Sequence, residues 1–239
     1  MFHVGCCGFS VGKTKYYESF DLVEAQQTFY QPPSQRVLES WRTSAKEGFR
    51  YTMKAWQLIT HDPMSPTYAK LKDPIPDFKR LNYGYFKPTS EVWRAWETTD
   101  AAARALGANI IVFQCPSGFR PTQENMDNMA AFFKKVRRGG YTFVWEPRGS
   151  WQDKDISRLC AELDLVHCVD PFKLSPCYGK IKYLRLQGKG GFKYSYSEAE
   201  LKELITRHEC DQDVYVMFNN SWMYDDALKM KALIATGGG

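Results

Sequence analysis

A closed parallel α/β barrel is the fold this 239-residue sequence predicts, and three observations carry the expectation. First, β-type runs recur at 2–6, 20–24, 49–55, 108–115, 141–146, 163–170, 180–186 and 213–219. Second, patterns of helical period separate most of them, and strands alternating with helices mean parallel pairing through right-handed crossovers. Third, most runs stop on a polar or charged residue: Cys7, Glu24, Lys54, Gln114, Glu146 with Arg148, Asp170, Arg185 with Gln187, and Asn219 with Asn220. In a (β/α)8 barrel the strand C-termini converge on one rim, where the chemistry sits, and ~250 residues is the usual size of the whole fold. A TIM-type barrel in one domain, spanning 1–239, accounts for all three observations.

The elements follow in order. Residues 8–19 are too few for a full helix with its turns, so the first crossover is expected to be a loop that lays Gly8, Gly12, Lys13, Lys15, Tyr16 and Tyr17 over the rim. Ser34 then caps a helical pattern through Val37, Leu38 and Trp41, which Gly48 closes. The stretch 57–88, rich in proline, lysine and tyrosine, leaves from a strand C-terminus. Loops longer than ~15 residues are functional lids or disordered segments, and this one reads as a lid crossing the rim. Ser90 and Glu91 start a helix carrying Val92, Trp93, Trp96, Ala102 and Leu106, and Gly107 ends it. Thr122 opens another through Met126, Met129, Phe132, Phe133 and Val136, stopped by Gly139 and Gly140. Helices are expected near 153–163, 197–207 and 222–234. The connection 171–179 holds Pro171 and Pro176 and is too short for a helix, so the sixth crossover should also lack one. Residues 236–239 read as a frayed tail.

Bulk properties narrow the function classes. Hydrophobic residues make up 44% of the chain, yet no apolar run approaches the ~18 residues that suggest a membrane span. The first residues enter a strand without the basic start and apolar core of a signal peptide, so the expected location is cytoplasmic. Seven scattered cysteines fit a reducing compartment better than a disulfide framework. Cys115, Cys160 and Cys168 read as small core residues, and Cys7 as a rim thiol open to a reactive or metal-binding role. A net charge of +5 permits an anionic partner such as nucleic acid or a nucleotide without marking a dedicated basic module.

The rim set supplies the chemistry. Glu24, Glu146 and Asp170 are carboxylates; Lys54, Arg148 and Arg185 are cations, and neither group is buried cheaply alone. Arginine's planar donors suit a phosphate or carboxylate held at two points. Glu24 or Glu146 beside such an anion is a candidate base, and Lys54 or His61 a candidate acid. With Asp170 these form the candidate catalytic set. Tyr30, Gln114, Arg148, Arg185, Gln187, Asn219 and Asn220 form the candidate binding set. The competing reading is that Glu146 and Arg148 merely make a structural ion pair. His3, His61, His167 and His208 do not assemble a zinc cluster; no cofactor is predicted, although Glu24, Glu146 and Asp170 offer oxygen ligands for magnesium. Gly188, Gly190 and Gly191 make a glycine-rich turn after the seventh run, a position where such barrels bind phosphate. Tyr16, Tyr17, Phe29, Tyr30, Trp56, Tyr83, Tyr85, Phe86, Trp151, Tyr194 and Tyr196, interleaved with lysines, suit base stacking or a small-molecule pocket. Trp41, Trp93 and Trp96 stand at helical spacing and belong to the core.

The residues also resemble a known family. Val4-Gly5-Cys6-Cys7-Gly8-Phe9, Val23-Glu24 with Thr28-Phe29-Tyr30 and Pro33, Trp41, and Lys54-Ala55 with Ile59-Thr60-His61 resemble the YecE-like family of TIM barrels, domain of unknown function 72. Gln114 with Pro116 and Phe119, Trp145-Glu146-Pro147-Arg148 with Ser150-Trp151, Asp170, Tyr183-Leu184-Arg185 with Gly188, Tyr196, and Phe218-Asn219-Asn220 continue the resemblance in order. It implies the same barrel and leaves function open. Three departures stand out: a short first crossover, Cys7 where a serine is common, and Gly149 where a histidine often follows the arginine. From the rim the expected function is an enzyme acting on a phosphate-bearing substrate, nucleic acid or a nucleotide, by acid–base hydrolysis. The alternatives are a non-catalytic nucleic-acid-binding module and an enzyme on an unphosphorylated sugar.

Overall fold

The computed structural model describes residues 1–237 and forms a closed barrel in which each strand pairs with the next in chain order and the eighth with the first. The strands are β1 (Phe2–Cys7), β2 (Leu22–Ala25), β3 (Arg50–Lys54), β4 (Ile110–Gln114), β5 (Thr142–Glu146), β6 (Leu165–Val169), β7 (Lys182–Leu186) and β8 (Val214–Phe218). Every pairing is parallel. The expected runs overshoot these bounds at several ends, because apolar residues just outside a strand keep packing after ladder bonding has stopped.

Around the barrel run α1 (Lys13–Ser19), α2 (Gln27–Tyr30), α3 (Gln35–Ser44), α4 (Gln57–Thr60), α5 (Ser90–Leu106), α6 (Gln123–Lys135), α7 (Asp153–Leu163), α8 (Glu198–His208) and α9 (Met223–Gly237). The expected caps hold in part: Thr122 and Gly107 cap as read, whereas Thr89 takes the place of Ser90 before α5, Ser34 makes no side-chain capping bond, and α3 and α6 end at Ala45 and Val136, ahead of Gly48 and Gly139. Thr89, Thr122 and Ser197 each accept a backbone N–H of the first turn, and Ser197 closes a full capping box with Glu200. Gly107 ends α5 in the left-handed region, where a missing Cβ removes the penalty.

Alternation along each strand divides the core in two. Outward residues such as Phe113 and Phe143 pack under the helices against Trp96, Phe132 and Phe133. Inward residues Leu22, Ile110, Val112, Val144, Val166, Tyr215 and Met217 fill the barrel.

The sixth crossover has no helix, as expected: Asp170 accepts the Phe172 amide (3.2 Å), which turns the chain at the end of β6, and the Gln187 amide (3.4 Å), which ties that end to the end of β7. The first crossover corrects the expectation. It contains the seven-residue helix α1, because a turn at Gly8 uses few residues before it. Tyr16 and Tyr17 leave the rim for the core: Tyr16 Oη accepts the Cys6 amide (2.8 Å) and donates to the Leu22 carbonyl (2.9 Å). The stretch 57–88 is better anchored than a free lid. It opens with α4, carries 3-10 turns at Pro66–Lys70 and Asp77–Asn82, and returns to α4 through Gly84 and Phe86, whose amides bond the Leu58 and Ile59 carbonyls. Gly84 has φ 78°, and a Cβ there would lie 2.2 Å from the His61 carbonyl oxygen, so only glycine permits this closure. Phe86 is buried among Phe113, Phe119, Phe132 and Phe133 rather than set over the rim. Thr236 and Gly237 continue α9 instead of fraying; the other two residues of the expected tail, 238 and 239, lie outside the described residues.

Candidate functional site

The alternation that points Ile110 and Val112 into the barrel carries Glu24, Lys54, Gln114, Glu146 and Arg185 inward one layer higher. Arg185 is the centre of this layer and is fully buried. Its Nη1 donates to Glu146 Oε2 (2.5 Å) and Gln114 Oε1 (3.2 Å); its Nη2 pairs with Glu24 Oε1 (3.1 Å) and lies 3.4 Å from Cys7 Sγ. Glu24 is further held by Tyr183 Oη (2.8 Å), itself bonded to Thr52 (2.7 Å), and by the Gln26 amide. Glu146 also accepts from Arg148 Nη2 (3.1 Å) and Gln187 Nε2 (3.1 Å). Two buried carboxylates thus share one buried guanidinium, the arrangement that offsets desolvation best.

Charges shift accordingly. Burial pushes the Glu146 carboxyl up, but the positive charges of Arg185, Arg148 and Lys54 outweigh it and hold Glu146 below the usual carboxylate range. Burial pushes the Cys7 thiol well up, against the pull of Arg185, so Cys7 stays protonated. Lys54 is only 4% exposed. Burial, joined by the positive charge of Arg185, brings its ammonium down to about 8 against the opposing pull of Glu24 and Glu146. Its Nζ donates to Gln114 Oε1 (2.8 Å) and lies 3.9 Å above the Phe29 ring. His61 stands edge-on to that ring at 4.8 Å and bonds Thr60 Oγ1 through Nδ1 (2.8 Å). Burial, with the positive charge of Lys54, lowers it to about 3, which keeps the imidazole neutral.

Above this layer opens a cavity of about 590 Å3, lined by Gln26, Phe29, Tyr30, Lys54, His61, Ser65, Thr67, Gln114, Pro116, Ser117, Arg148, Arg185, Phe192 and Asn219. Among the described residues its wall carries three cations, Lys54, Arg148 and Arg185, and no carboxylate. Glu24 and Glu146 stand behind that wall, gripping Arg185.

The expected residues therefore separate. Lys54, His61, Tyr30, Gln114, Arg148, Arg185 and Asn219 line the cavity; Gln187 does not, and instead donates to Glu146 behind the wall. Asp170 is spent on the backbone of the sixth crossover and on Lys173 (3.5 Å). Asn220 turns to α9, bonding the Tyr194 carbonyl and Asp226 at 2.7 Å each. The three carboxylates proposed for magnesium do not converge, since two hold an arginine and the third caps a turn. Among the described residues no group of three or more His, Cys, Asp or Glu is placed to hold a metal ion. The glycine-rich turn after β7 is closed on itself: Tyr196 Oη takes the Gly188 amide (2.8 Å), and Lys189 is tied to Glu200 (2.7 Å). Gly149 has φ 88°, and a Cβ would meet the Ser117 carbonyl oxygen at 2.8 Å. A histidine does not fit this backbone, which accounts for that departure.

Gln26, Ser65, Thr67, Ser117 and Phe192 escaped the reading of the sequence. The three hydroxyl residues carry no pattern, and only closure of the 57–88 stretch brings Ser65 and Thr67 to the mouth. Tyr183 was findable: it precedes Arg185 by two residues in the same strand and so shares its inward face.

The family model described as "Protein of unknown function DUF72" matches residues 14–237, and the chain belongs to that family. A family protein from Thermotoga maritima is similar in structure, at 20% identity over 98% of this chain and 99% of that one, with a TM-score of 0.70. A xylose isomerase domain containing protein from Salmonella typhimurium shares 12% identity over 99% and 95%, with a TM-score of 0.57. Endonuclease IV from Thermus thermophilus shares 14% over 98% and 97%, with a TM-score of 0.51. These likenesses are of fold. No curated protein matches the sequence.

Proposed function

We propose that the cavity at the strand C-termini binds a phosphate-bearing substrate of nucleotide or sugar-phosphate type and that the protein is an enzyme acting on it. One observation carries this reading: a lining that, among the described residues, holds three cations and no carboxylate together with the rings of Phe29, Tyr30 and Phe192. The cations suit a phosphate, and the rings suit the flat face of a base or sugar. Arg148 is the solvent-facing clamp, its side chain 41% exposed; Arg185 is the buried one. Glu24 and Glu146 take the part of orienting Arg185, since carboxylates so heavily bonded make poor bases. Proton transfer then falls to Lys54, close to its neutral form near pH 8, and hydrogen bonding at the substrate to neutral His61. The fold neighbours include a protein named an endonuclease and one named for a sugar isomerase domain, which fits a ligand combining sugar and phosphate.

A panel of oligonucleotides, nucleotides and sugar phosphates, assayed with and without magnesium, tests the reading. Turnover of a phosphorylated compound, with affinity reduced about tenfold or more in Arg148→Ala, is the expected result, on the scale of a charged hydrogen bond. Binding without turnover favours a nucleic-acid-binding module, and indifference to Arg148 overturns the phosphate clamp.

A further inference from the structure

Lys54 is set apart from the other cations of the barrel mouth. Arg185 is paired with two carboxylates and Arg148 with one. Among the described residues Lys54 faces no carboxylate at ion-pair distance. Its amine has one acceptor, Gln114 Oε1, and rests on the Phe29 ring. The groups around it are Arg185, Arg148, Glu24 and Glu146, with His61 beside the same ring. A buried ammonium without a counter-ion is unfavourable, and a nearby guanidinium adds to the cost. If the only role of this position were to attract an anion, an arginine or an exposed lysine would serve it at less expense. A desolvated lysine next to another cation is instead the arrangement that produces a nucleophilic amine at moderate pH.

We propose that Lys54 forms an imine with the aldehyde or ketone carbon of a phosphate-bearing substrate, while Arg148 and Arg185 hold the phosphate. This rests on the phosphate-binding reading above and gives Lys54 a covalent role in place of the proton transfer assigned to it there. The step balances without a further reactant. The neutral Lys54 nitrogen attacks the carbonyl carbon and the C–N bond forms; the two nitrogen-bound protons pass to the former carbonyl oxygen, the C–O bond breaks, and one water leaves. The proton relay has hydroxyls at hand, because Ser65, Thr67 and Ser117 line the same cavity. The resulting imine is an electron sink for cleavage or proton abstraction at the adjacent carbon. A cavity of about 590 Å3 holds a sugar phosphate, and its open mouth also admits an abasic position of a nucleic acid, whose ring-opened form offers the same aldehyde beside phosphate.

The test is reductive trapping. The full chain is mixed with glycolaldehyde phosphate, with ribose 5-phosphate or with an oligonucleotide containing one abasic position. Sodium cyanoborohydride then delivers hydride to the imine carbon, and peptide mapping locates the adduct. The expected result is a secondary amine on Lys54, formed at least tenfold faster than on surface lysines and suppressed by inorganic phosphate. Trapping by the free sugar phosphates alone assigns a small-molecule substrate, and trapping by the oligonucleotide alone assigns a nucleic acid. Adducts spread over surface lysines, with Lys54 unmodified, overturn the proposal, and mapping on the unaltered protein makes that outcome independent of whether Lys54→Met folds. Two failures stay separable. Phosphate binding that is lost in Arg148→Ala while Lys54 remains unlabelled removes the imine and leaves the phosphate site. Labelling of Lys54 that is equal with unphosphorylated glycolaldehyde and insensitive to phosphate removes the phosphate site and leaves a reactive amine.

Discussion

The two halves of the barrel interior obey the same rule of alternation and are built from opposite materials. In the lower half Leu22, Ile110, Val112, Val144 and Val166 interdigitate as an ordinary apolar core. In the upper half, two residues further along the strands, the inward positions become Glu24, Lys54, Gln114, Glu146 and Arg185. The lower half is held by area removed from water, a contribution of about 25 cal/mol per Å2 that is indifferent to direction. The upper half is held by a few directed bonds whose loss leaves charges stranded. A fold that needed only stability would have continued the apolar stack, since replacing buried ion pairs by packed hydrophobic residues is often neutral or stabilising. That cost is what the proposed binding role of the charged layer would explain.

The sharpest way to break this contrast is Arg185→Ala. It strands Glu24 and Glu146 together, and a loss of about 3–5 kcal/mol is expected from denaturant unfolding; a loss under about 1 kcal/mol would mean that water replaces the guanidinium and the layer is not a closed network. In the lower half, Ile110→Ala should cost about 3 kcal/mol through a cavity, with ligand affinity unchanged. A change in affinity there would show that the two halves are mechanically coupled.

Acidity gives a third test. Lys54 is lowered from 10.5 to about 8 in the folded protein, so between those values the unfolded chain binds more protons and stability rises with pH. Relative to Lys54→Met, the unaltered protein should gain about 2 kcal/mol between pH 7.5 and 9.5, at roughly 1.4 kcal/mol per unit. Taking the difference between the two proteins cancels the opposing titration of the buried cysteines. A flat difference would place a counter-ion on Lys54. The smallest effect concerns Arg148→Ala: this exposed partner of Glu146 should move stability by less than about 1 kcal/mol, because Arg185 and Gln187 still hold the carboxylate. A larger loss, measured by thermal melting, would make Arg148 scaffold instead of clamp.

The barrel and the upper layer were both largely legible in the chain itself, for one reason. Period-two alternation and strand ends are local properties, so Glu24, Lys54, Gln114, Glu146 and Arg185 could be read directly as inward rim residues. The helix-free sixth crossover was legible too, from its two prolines and its length. What the chain alone left undecided were matters of distance between segments. Asp170 and Asn220 sit on strand ends like the others, yet one closes a turn and the other bonds α9; no one-dimensional pattern separates a polar residue that faces a cavity from one that satisfies a nearby amide. The placement of Tyr16 in the core, the folding back of 57–88 that brings Ser65 and Thr67 to the mouth, and the absence of a counter-ion for Lys54 among the described residues all depend on contacts between residues far apart in sequence. Residue types and spacing determined which charges stand at the rim. Only the tertiary structure decided which of them are paired, because pairing is settled by ångström-scale competition among neighbours from several strands for the same donors and acceptors.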